Sequence, residues 1–144
     1  MKKTIYCDIK KVRVYKNNEV VANFCFDAII RCYNYGFSHE VKMYCILPGF
    51  NKAGYNKYKT TYYNRTYEVY CFQHCITGCM NNIIYEIKEE IKNGIKEANG
   101  WKKLTKSRRK AIDETIEQDE ALKMLETVKK EVSGNSSSLI EMHL

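Results

Sequence analysis

The spacing of the apolar residues changes near residue 72 of the 144-residue chain. Before this point apolar residues tend to recur at every second position, which is typical of strands with one buried face. After it they recur at every third or fourth position, which is typical of amphipathic helices. We therefore expect an α+β fold, in which an antiparallel sheet of four to five strands is followed by two or three C-terminal helices. A doubly wound parallel sheet is not expected, because strands and helices do not alternate along the chain.

The first half of the chain contains the predicted strands and their turns. A turn over residues 16–19 joins the first two strands into a hairpin, because the Asn residues there tolerate positive φ angles. Asp27 and Gly36 are residue types that begin and end helices, so a short helix is predicted over residues 27–36. A turn at residues 64–65 separates the last two strands. The strands are predicted at residues 4–14, 19–26, 39–47, 60–63 and 66–71.

The second half of the chain is predicted to be helical. One long amphipathic helix begins at residue 72 and ends near Asn99 and Gly100, since Gly often follows the last turn of a helix. The helical spacing resumes over residues 105–132. Its phase changes near residues 117–120, which allows for two helices in this stretch.

The domain organisation follows from these two halves. Residues 1–132 are assigned to a single α+β domain, with mainly strands over 1–71 and mainly helices over 72–132. Residues 133–144 begin with a run of Ser, Gly and Asn and are expected to form a flexible tail. The apolar runs are too short to span a bilayer, and no apolar stretch follows the charged N-terminus as it would in a signal peptide. We expect a cytoplasmic protein that does not contact a membrane.

A cluster of cysteine and histidine residues stands at the predicted junction between the last strand and the first helix. Cys71, His74, Cys75 and Cys79 supply four potential soft ligands within nine residues. Structural Zn²⁺ sites use four thiolate or imidazole ligands, and the N-terminus of a helix favours the thiolate. We therefore predict a structural zinc that takes a further ligand from the sheet. The candidates for that further ligand are Cys7, Cys32, His39 and Cys45.

Two other interpretations of the cysteines remain open. Cys75 and Cys79 lie on the apolar stripe of the predicted helix, where thiols often pack as small apolar groups. A small cysteine- or zinc-dependent enzyme would need a thiol beside a histidine and an orienting group. The sequence does not determine whether His39 or His74 lies beside a thiol, and it contains neither an H-E-x-x-H motif nor a zinc deaminase motif. The chain is therefore predicted not to be an enzyme.

Positive charge and tyrosine are concentrated in the first half. Residues 1–70 carry twelve Lys or Arg and five Asp or Glu, so they hold the whole formal net charge of +7. Cations neutralise phosphates while rings stack on unpaired bases. Tyr and Arg are also enriched at protein–protein hot spots, and a solvated sheet surface is the third interpretation. The candidate binding residues are Lys10, Lys11, Arg13, Tyr55, Lys57, Tyr58, Lys59, Tyr62 and Arg65, with Arg108 and Arg109 from the basic run over residues 102–110.

The small size, the Lys-, Asn- and Tyr-rich composition and the cluster of Cys71, His74, Cys75 and Cys79 give the chain a family resemblance. It resembles the anti-CRISPR inhibitors of type II effector nucleases that phages and mobile elements encode, some of which contain a structural zinc. The resemblance implies a non-enzymatic inhibitor that binds a bacterial effector nuclease, or its complex with guide RNA or target DNA, and blocks DNA loading or activity. At a net charge of +7 the chain does not mimic DNA as a whole. A basic nucleic-acid-binding protein of a phage or mobile element is the alternative.

Overall fold

The structure, a computed structural model, describes most of the chain. Its backbone is described at residues 4–33, 36–50, 57–66 and 72–144, and its side chains at residues 8–31, 38–50, 57–63 and 72–144. The strands are β1 (Thr4–Lys16), β2 (Glu19–Tyr33), β3 (Gly36–Ile46), β4 (Lys57–Thr66) and β5 (Leu139–His143). The helices are α1 (Phe72–Asn99), α2 (Lys106–Gln118) and α3 (Glu120–Gly134).

The five strands form one sheet in the order β4-β3-β2-β1-β5. The first four strands pair with their neighbours in antiparallel fashion, whereas β5 pairs with β1 in parallel. The three helices lie between β4 and β5 in the chain. The predicted α+β class, with a mostly antiparallel sheet and C-terminal helices, is confirmed.

One face of the sheet forms the core together with α1 and α3. Side chains along a strand alternate between the two faces, so alternate residues are buried over 10–14 of β1, 22–28 of β2 and 39–45 of β3. The helices pack their apolar stripes on this face, and α1 also packs against α3. The buried strand residues include Val12, Val14, Phe24, Phe26, Val41 and Met43, and the buried helix residues include Ile76, Met80, Ile83, Leu125 and Val128.

The helix boundaries follow local chemistry. The predicted long helix from residue 72 is confirmed, and so is the division of the following stretch into two helices. Asp119 separates α2 from α3, because its backbone N–H donates to the Ile116 carbonyl and its carboxylate accepts from the Leu122 N–H at 2.9 Å. Thr105 begins α2, since its hydroxyl accepts a hydrogen bond from the Arg108 N–H at 3.3 Å.

Two predicted elements of the first half differ in the structure. The helix predicted over residues 27–36 is wrong, because β2 continues to Tyr33 and pairs with β1 on one side and β3 on the other. This ladder satisfies the backbone hydrogen bonds that a helix would otherwise have to make. A single strand, β4, replaces the two short strands predicted at residues 60–63 and 66–71, and residues 67–71 lie outside the described residues.

The end of the chain is also ordered differently from the prediction of a flexible tail over residues 133–144. Helix α3 extends to Gly134, and residues 139–143 form β5. Ile140 is buried opposite Val12, and the Leu144 N–H donates to the Tyr15 carbonyl at 2.8 Å. The strand is therefore held both by its hydrogen bonds to β1 and by burial of one apolar side chain.

The closest approach of α1 to the sheet depends on Gly78. A Cβ atom at this position would overlap the ring of Tyr62 on β4, whereas a Cβ at Gly94 would have no atom of the described residues within 4 Å. Both glycines are interior to the same helix, where Ala is preferred over Gly by about 1 kcal/mol. Substitutions at these two positions therefore distinguish the effect of helix propensity on stability from the effect of packing against Tyr62.

We predict that Gly78→Ala lowers the free energy of unfolding by about 1–2 kcal/mol, because overpacking costs more than the helix propensity returns. The control Gly94→Ala is expected to raise it by about 0.5–1 kcal/mol. Urea unfolding followed by circular dichroism measures both values. Equal stabilisation by the two substitutions would show that α1 does not approach β4 this closely.

Candidate functional site

The face of the sheet opposite the core carries no helix of the described part of the chain. We call it the uncovered face, and its side chains are the alternate strand residues that point away from α1 and α3. Five strands contribute to it, so it is the broadest surface that the fold leaves open. Its residues include Ile9, Lys11, Arg13, Tyr15, Val20, Asn23, Cys25, Asp27, Arg31, Glu40, Lys42, Tyr44, Ile46, Lys57, Lys59, Tyr63, Leu139, Glu141 and His143.

The register of the strands arranges these side chains in rows. One row crosses all five strands, and it contains Leu139, Lys11, Cys25, Tyr44 and Lys59. Because neighbouring strands lie about 4.8 Å apart, a row extends over roughly 19 Å. Cations therefore stand at several points along an extended surface and not in one cluster.

A second row lies beside the first, two residues away from it on each strand, and also crosses the whole sheet. It contains Glu141, Arg13, Asn23, Ile46 and Lys57. Each of the two rows thus presents two cations, and the second row also carries the Glu141 carboxylate opposite Arg13. This arrangement follows from the antiparallel register alone and requires no loop.

The electrostatics of the uncovered face favour anions. Arg31 and Lys42 share the carboxylate of Glu40, at 3.3 and 3.6 Å. By contrast, the exposed cations in the two rows make no ion pair with the residues that the structure describes. These four cations are Lys11, Arg13, Lys57 and Lys59.

Aromatic rings lie among these cations. The Lys59 ammonium is 5.4 Å from the centre of the Tyr44 ring, and the rings of Tyr15 and His143 stack with their centres 4.9 Å apart. Rings that flank cations provide both a stacking surface and a cation–π partner. The uncovered face therefore offers two kinds of contact to an unpaired nucleobase.

Large apolar side chains are also exposed on this face. Ile9 is 52% exposed, Leu139 is 53% exposed and Tyr63 is 67% exposed, and Val20 is 41% exposed near the turn between β1 and β2. Within the described residues, only Tyr85 and Leu144 are comparable side chains away from these positions. Ile9 and Leu139 stand at one edge of the sheet, Tyr63 is on the opposite edge strand, and Val20 lies at the hairpin end.

The structure brings together four of the predicted binding residues, which are Lys11, Arg13, Lys57 and Lys59. Sequence reasoning missed Tyr15, Tyr44 and His143, although the period of two offered a signal. Every second residue after Lys11 faces the same way, so Arg13 and Tyr15 share its face by parity alone. Finding Tyr44 and His143 would have required the pairing of β3 with β2 and of β5 with β1.

Other predicted binding residues lie elsewhere. Tyr58 and Tyr62 point toward α1, where the Tyr58 hydroxyl donates to Glu90 at 2.9 Å and the Tyr62 ring packs edge-on against His74. Lys10 is only 1% exposed and donates a hydrogen bond to the Asn135 carbonyl. Burial lowers the pKa of the Lys10 ammonium, and the nearby Asp8 carboxylate offsets part of this effect.

The predicted residues of the basic run lie on the helical side. Arg108 packs over the Trp101 ring at 5.2 Å and donates to the Lys103 carbonyl at 2.8 Å, so its guanidinium is engaged within the chain. Arg109 is exposed on α2. Tyr55 and the side chain of Arg65 lie outside the described residues.

The predicted zinc ligands do not form a metal-binding group of three within the described part of the chain, although two of them, Cys75 and His39, approach to 3.8 Å. Cys75 and Cys79 are buried on the core side of α1, and Cys45 is buried on β3. His74 is exposed on another side of α1, with its Nε2 atom 3.4 Å from the Tyr62 hydroxyl. Cys71 and the side chain of Cys7 lie outside the described residues. No group of three His, Cys, Asp or Glu residues suited to a metal occurs among the residues described.

The environment of Cys79 favours a thiol over a metal-binding thiolate. Its Sγ atom donates to the Val41 carbonyl at 3.3 Å. Burial raises the pKa of the Cys79 thiol to about 12, and the neighbouring Cys75 adds to this rise, while a backbone hydrogen bond from Tyr62 lowers it. Burial also raises the pKa of Cys45. These shifts describe the thiols without a bound metal, and the zinc stays a prediction of the sequence.

One thiol does lie beside an imidazole, as a cysteine-dependent enzyme would require. The Cys75 Sγ atom is 3.8 Å from Nδ1 of His39, and burial lowers the pKa of the imidazole. Both residues are almost fully buried, at 0% and 1% exposure. A substrate in solvent therefore does not reach this pair in the described conformation.

Comparisons with protein-family models, with curated proteins and with solved structures find no match to this chain. Among the described residues, no helix combines the length and the apolar character needed to cross a membrane. The function is therefore inferred from the uncovered face that the structure describes.

We predict that the unfolding free energy decreases above about pH 9, where the Cys79 thiol of the unfolded chain ionises while the folded chain keeps its proton. The pKa is raised on folding from 9.0 to about 12, so this contribution is complete below pH 9 and is lost as the pH rises toward 12. One such thiol accounts for about 1.4 kcal/mol per pH unit.

Urea unfolding between pH 8 and pH 10 measures this dependence, with Cys79→Ser as the matched variant. Serine keeps a donor for the Val41 carbonyl but does not titrate in this range, so its stability should decrease less steeply. Equal slopes for both proteins, together with about one equivalent of zinc by elemental analysis, would instead support the predicted metal site.

Proposed function

We propose that the protein is a non-enzymatic binding protein that holds single-stranded nucleic acid on the uncovered face. The observation that carries this proposal is the pair of rows that cross the sheet, with Lys11 and Arg13 on β1 and Lys57 and Lys59 on β4. Phosphates repeat along a strand of nucleic acid, and cations that make no ion pair with the described residues complement them. Binding of this kind depends on the backbone and tolerates different sequences.

The rings favour a single strand over a duplex. Tyr44 and Tyr15 belong to a sheet surface, on which unpaired bases can stack, whereas the bases of a duplex are already stacked on one another. Each base stacked on a ring contributes about 1–3 kcal/mol in proteins of this type. The cations then contribute through release of counterions, which makes binding weaker as salt increases.

A second candidate function is supported by the exposed apolar residues. Ile9, Val20, Tyr63 and Leu139 would be buried by a protein partner, and apolar groups ringed by cations are typical of protein interfaces. The family resemblance implies that this partner is a bacterial CRISPR effector nuclease, alone or with its guide RNA or target DNA. In that case the protein acts as an inhibitor in the cytoplasm of the host cell.

We predict that the triple variant Lys11→Ala, Arg13→Ala and Lys59→Ala weakens binding of a decanucleotide by at least tenfold at about 0.1 M salt. Because three cations are lost, the slope of log K against log salt should become less steep by about 2 units. Fluorescence anisotropy of a labelled single strand, measured over a salt series, provides both values.

The matched control removes three exposed lysines from the helices, with Lys88→Ala, Lys123→Ala and Lys130→Ala. It has the same net charge as the first variant and should keep the wild-type affinity. If both variants lose affinity equally, binding depends on net charge and the uncovered face is not the site. Salt-stable binding to an effector nuclease without nucleic acid would favour the second candidate function.

A further inference from the structure

A cavity of about 270 Å³ lies beside the start of β5, at the outer edge of β1. Its walls come from β1, from the first turn of α1 and from the three serines of residues 136–138. The parallel pairing of β5 with β1 begins only at Lys11, so the preceding part of β1 has no β5 strand beside it. Its volume is close to the lower end for small-ligand pockets, which is about 300 Å³.

Two buried polar groups line this cavity and have complementary requirements. The Lys10 ammonium and the Gln73 amide nitrogen both donate to the same carbonyl oxygen, that of Asn135. An ammonium has three donors, so Lys10 can donate to acceptors besides Asn135, and the Asp8 carboxylate that lines the same cavity attracts it. The Gln73 Oε1 atom is buried and has no hydrogen-bond partner among the described residues, so it requires a donor. Because both side chains reach one oxygen atom, their polar ends lie close together.

The orientation of the Gln73 amide is fixed by this arrangement. If its oxygen and nitrogen were exchanged, the oxygen would face the Asn135 carbonyl and two acceptors would oppose each other. A ligand must therefore bring an acceptor to Lys10 and a donor to Gln73. A chloride or sulfate ion meets only the first requirement, because it carries no donor.

We propose that this cavity takes one nucleobase of the bound strand, specifically a base in which a carbonyl oxygen is adjacent to a ring N–H. Uracil, thymine and guanine have this pattern. Lys10 donates to the carbonyl oxygen, and Gln73 accepts from the ring N–H. The inference rests on the proposed function, because the remainder of the strand lies on the uncovered face.

The cavity and the uncovered face meet at Ile9. Ile9 lines the cavity and is also among the most exposed apolar residues of the uncovered face. Phe72 contributes an aromatic ring to the wall on the side of α1. A strand that lies across β1 can therefore place one base in the cavity while its phosphates stay near Lys11 and Arg13.

Cytosine is the informative comparison because it has the same ring size and the same backbone charge as uracil. In place of the carbonyl oxygen and the ring N–H, cytosine presents an amino donor and a ring nitrogen acceptor. In the same pose the amino group would face the Lys10 donor, and the ring nitrogen would face the Gln73 oxygen. Contacts of this kind discriminate between bases by about tenfold or more.

The experiment compares binding of labelled decauridylate and decacytidylate to the full chain, at one salt concentration, by fluorescence anisotropy. We expect decauridylate to bind about tenfold more tightly. Gln73→Leu should reduce the uracil affinity to that of cytosine, with the salt slope unchanged. Lys10→Met provides a second variant of similar length and should also remove the preference. Gln118→Leu, on the surface of α2, is the control and should keep it.

The outcomes separate this inference from the proposed function. If both oligonucleotides bind equally to the wild-type protein, or if Gln73→Leu keeps the preference, the base pocket is overturned while binding on the uncovered face stands. If neither oligonucleotide binds, the proposed function fails and the pocket fails with it. A preference that is lost in both cavity variants and kept in Gln118→Leu supports the pocket.

Discussion

The packing of α1 and α3 on a single face of the sheet is the interaction on which the rest of the structure depends. Burial of a Val, Ile or Phe side chain stabilises the fold by about 1.5–3 kcal/mol each, and the core contains many such residues. Because side chains alternate along a strand, burying Val12 and Val14 forces Lys11 and Arg13 to the other side. The core therefore determines which residues become the uncovered face, and the cations share a surface as a consequence of packing.

The same constraint explains the edge of the sheet. After three helices the chain returns beside β1, and a parallel partner can reach that position only through a long connection. Burial of Ile140 opposite Val12 fixes the register of β5, so its pairing begins at Lys11. The segment just before β5 then lies next to the unpaired start of β1. There the Lys11 N–H donates to the Ser138 carbonyl at 2.8 Å, and the cavity with Lys10 forms beside it.

Much of the fold could be predicted from the sequence because its strongest signals are local. The 3.6-residue spacing specified α1, and the shift of phase specified the division at Asp119, which ends one helix and begins the next. The residues after Asp27 also have a helical pattern, but hydrogen bonds to strands on both sides outweigh local propensity there. β5 is too short for its period to stand out, and its formation depends on a partner more than one hundred residues away.

The candidate site was less predictable, because residue type alone does not determine which face a side chain occupies. Lys11 and Lys10 are adjacent and chemically identical, yet one is exposed and the other is 1% exposed. Tyr58 and Lys59 are also neighbours in sequence, yet on β4 Tyr58 points toward α1 and Lys59 lies on the uncovered face. The cluster that suggested zinc shows the same limitation, since Cys75 and His74 are neighbours in sequence but lie on different sides of α1. The core fixes which residues of each strand and helix face inward, and this determines the side on which each of these neighbours lies.

Packing of the core does not explain why a lysine occupies position 10. Lys10 occupies a position in the series with Val12 and Val14 that an apolar side chain would fill at lower cost, because a buried cation must recover its lost hydration through hydrogen bonds. Its bond to Asn135 fixes the segment before β5, but Gln73 donates to the same oxygen and could do so alone. The Asn135 carbonyl thus serves two donors, the Asp8 carboxylate lines the same cavity as Lys10, and the Gln73 oxygen is left without a donor among the described residues. A purely structural link would not need this excess of donors and acceptors, whereas a cavity that recognises a polar ligand does.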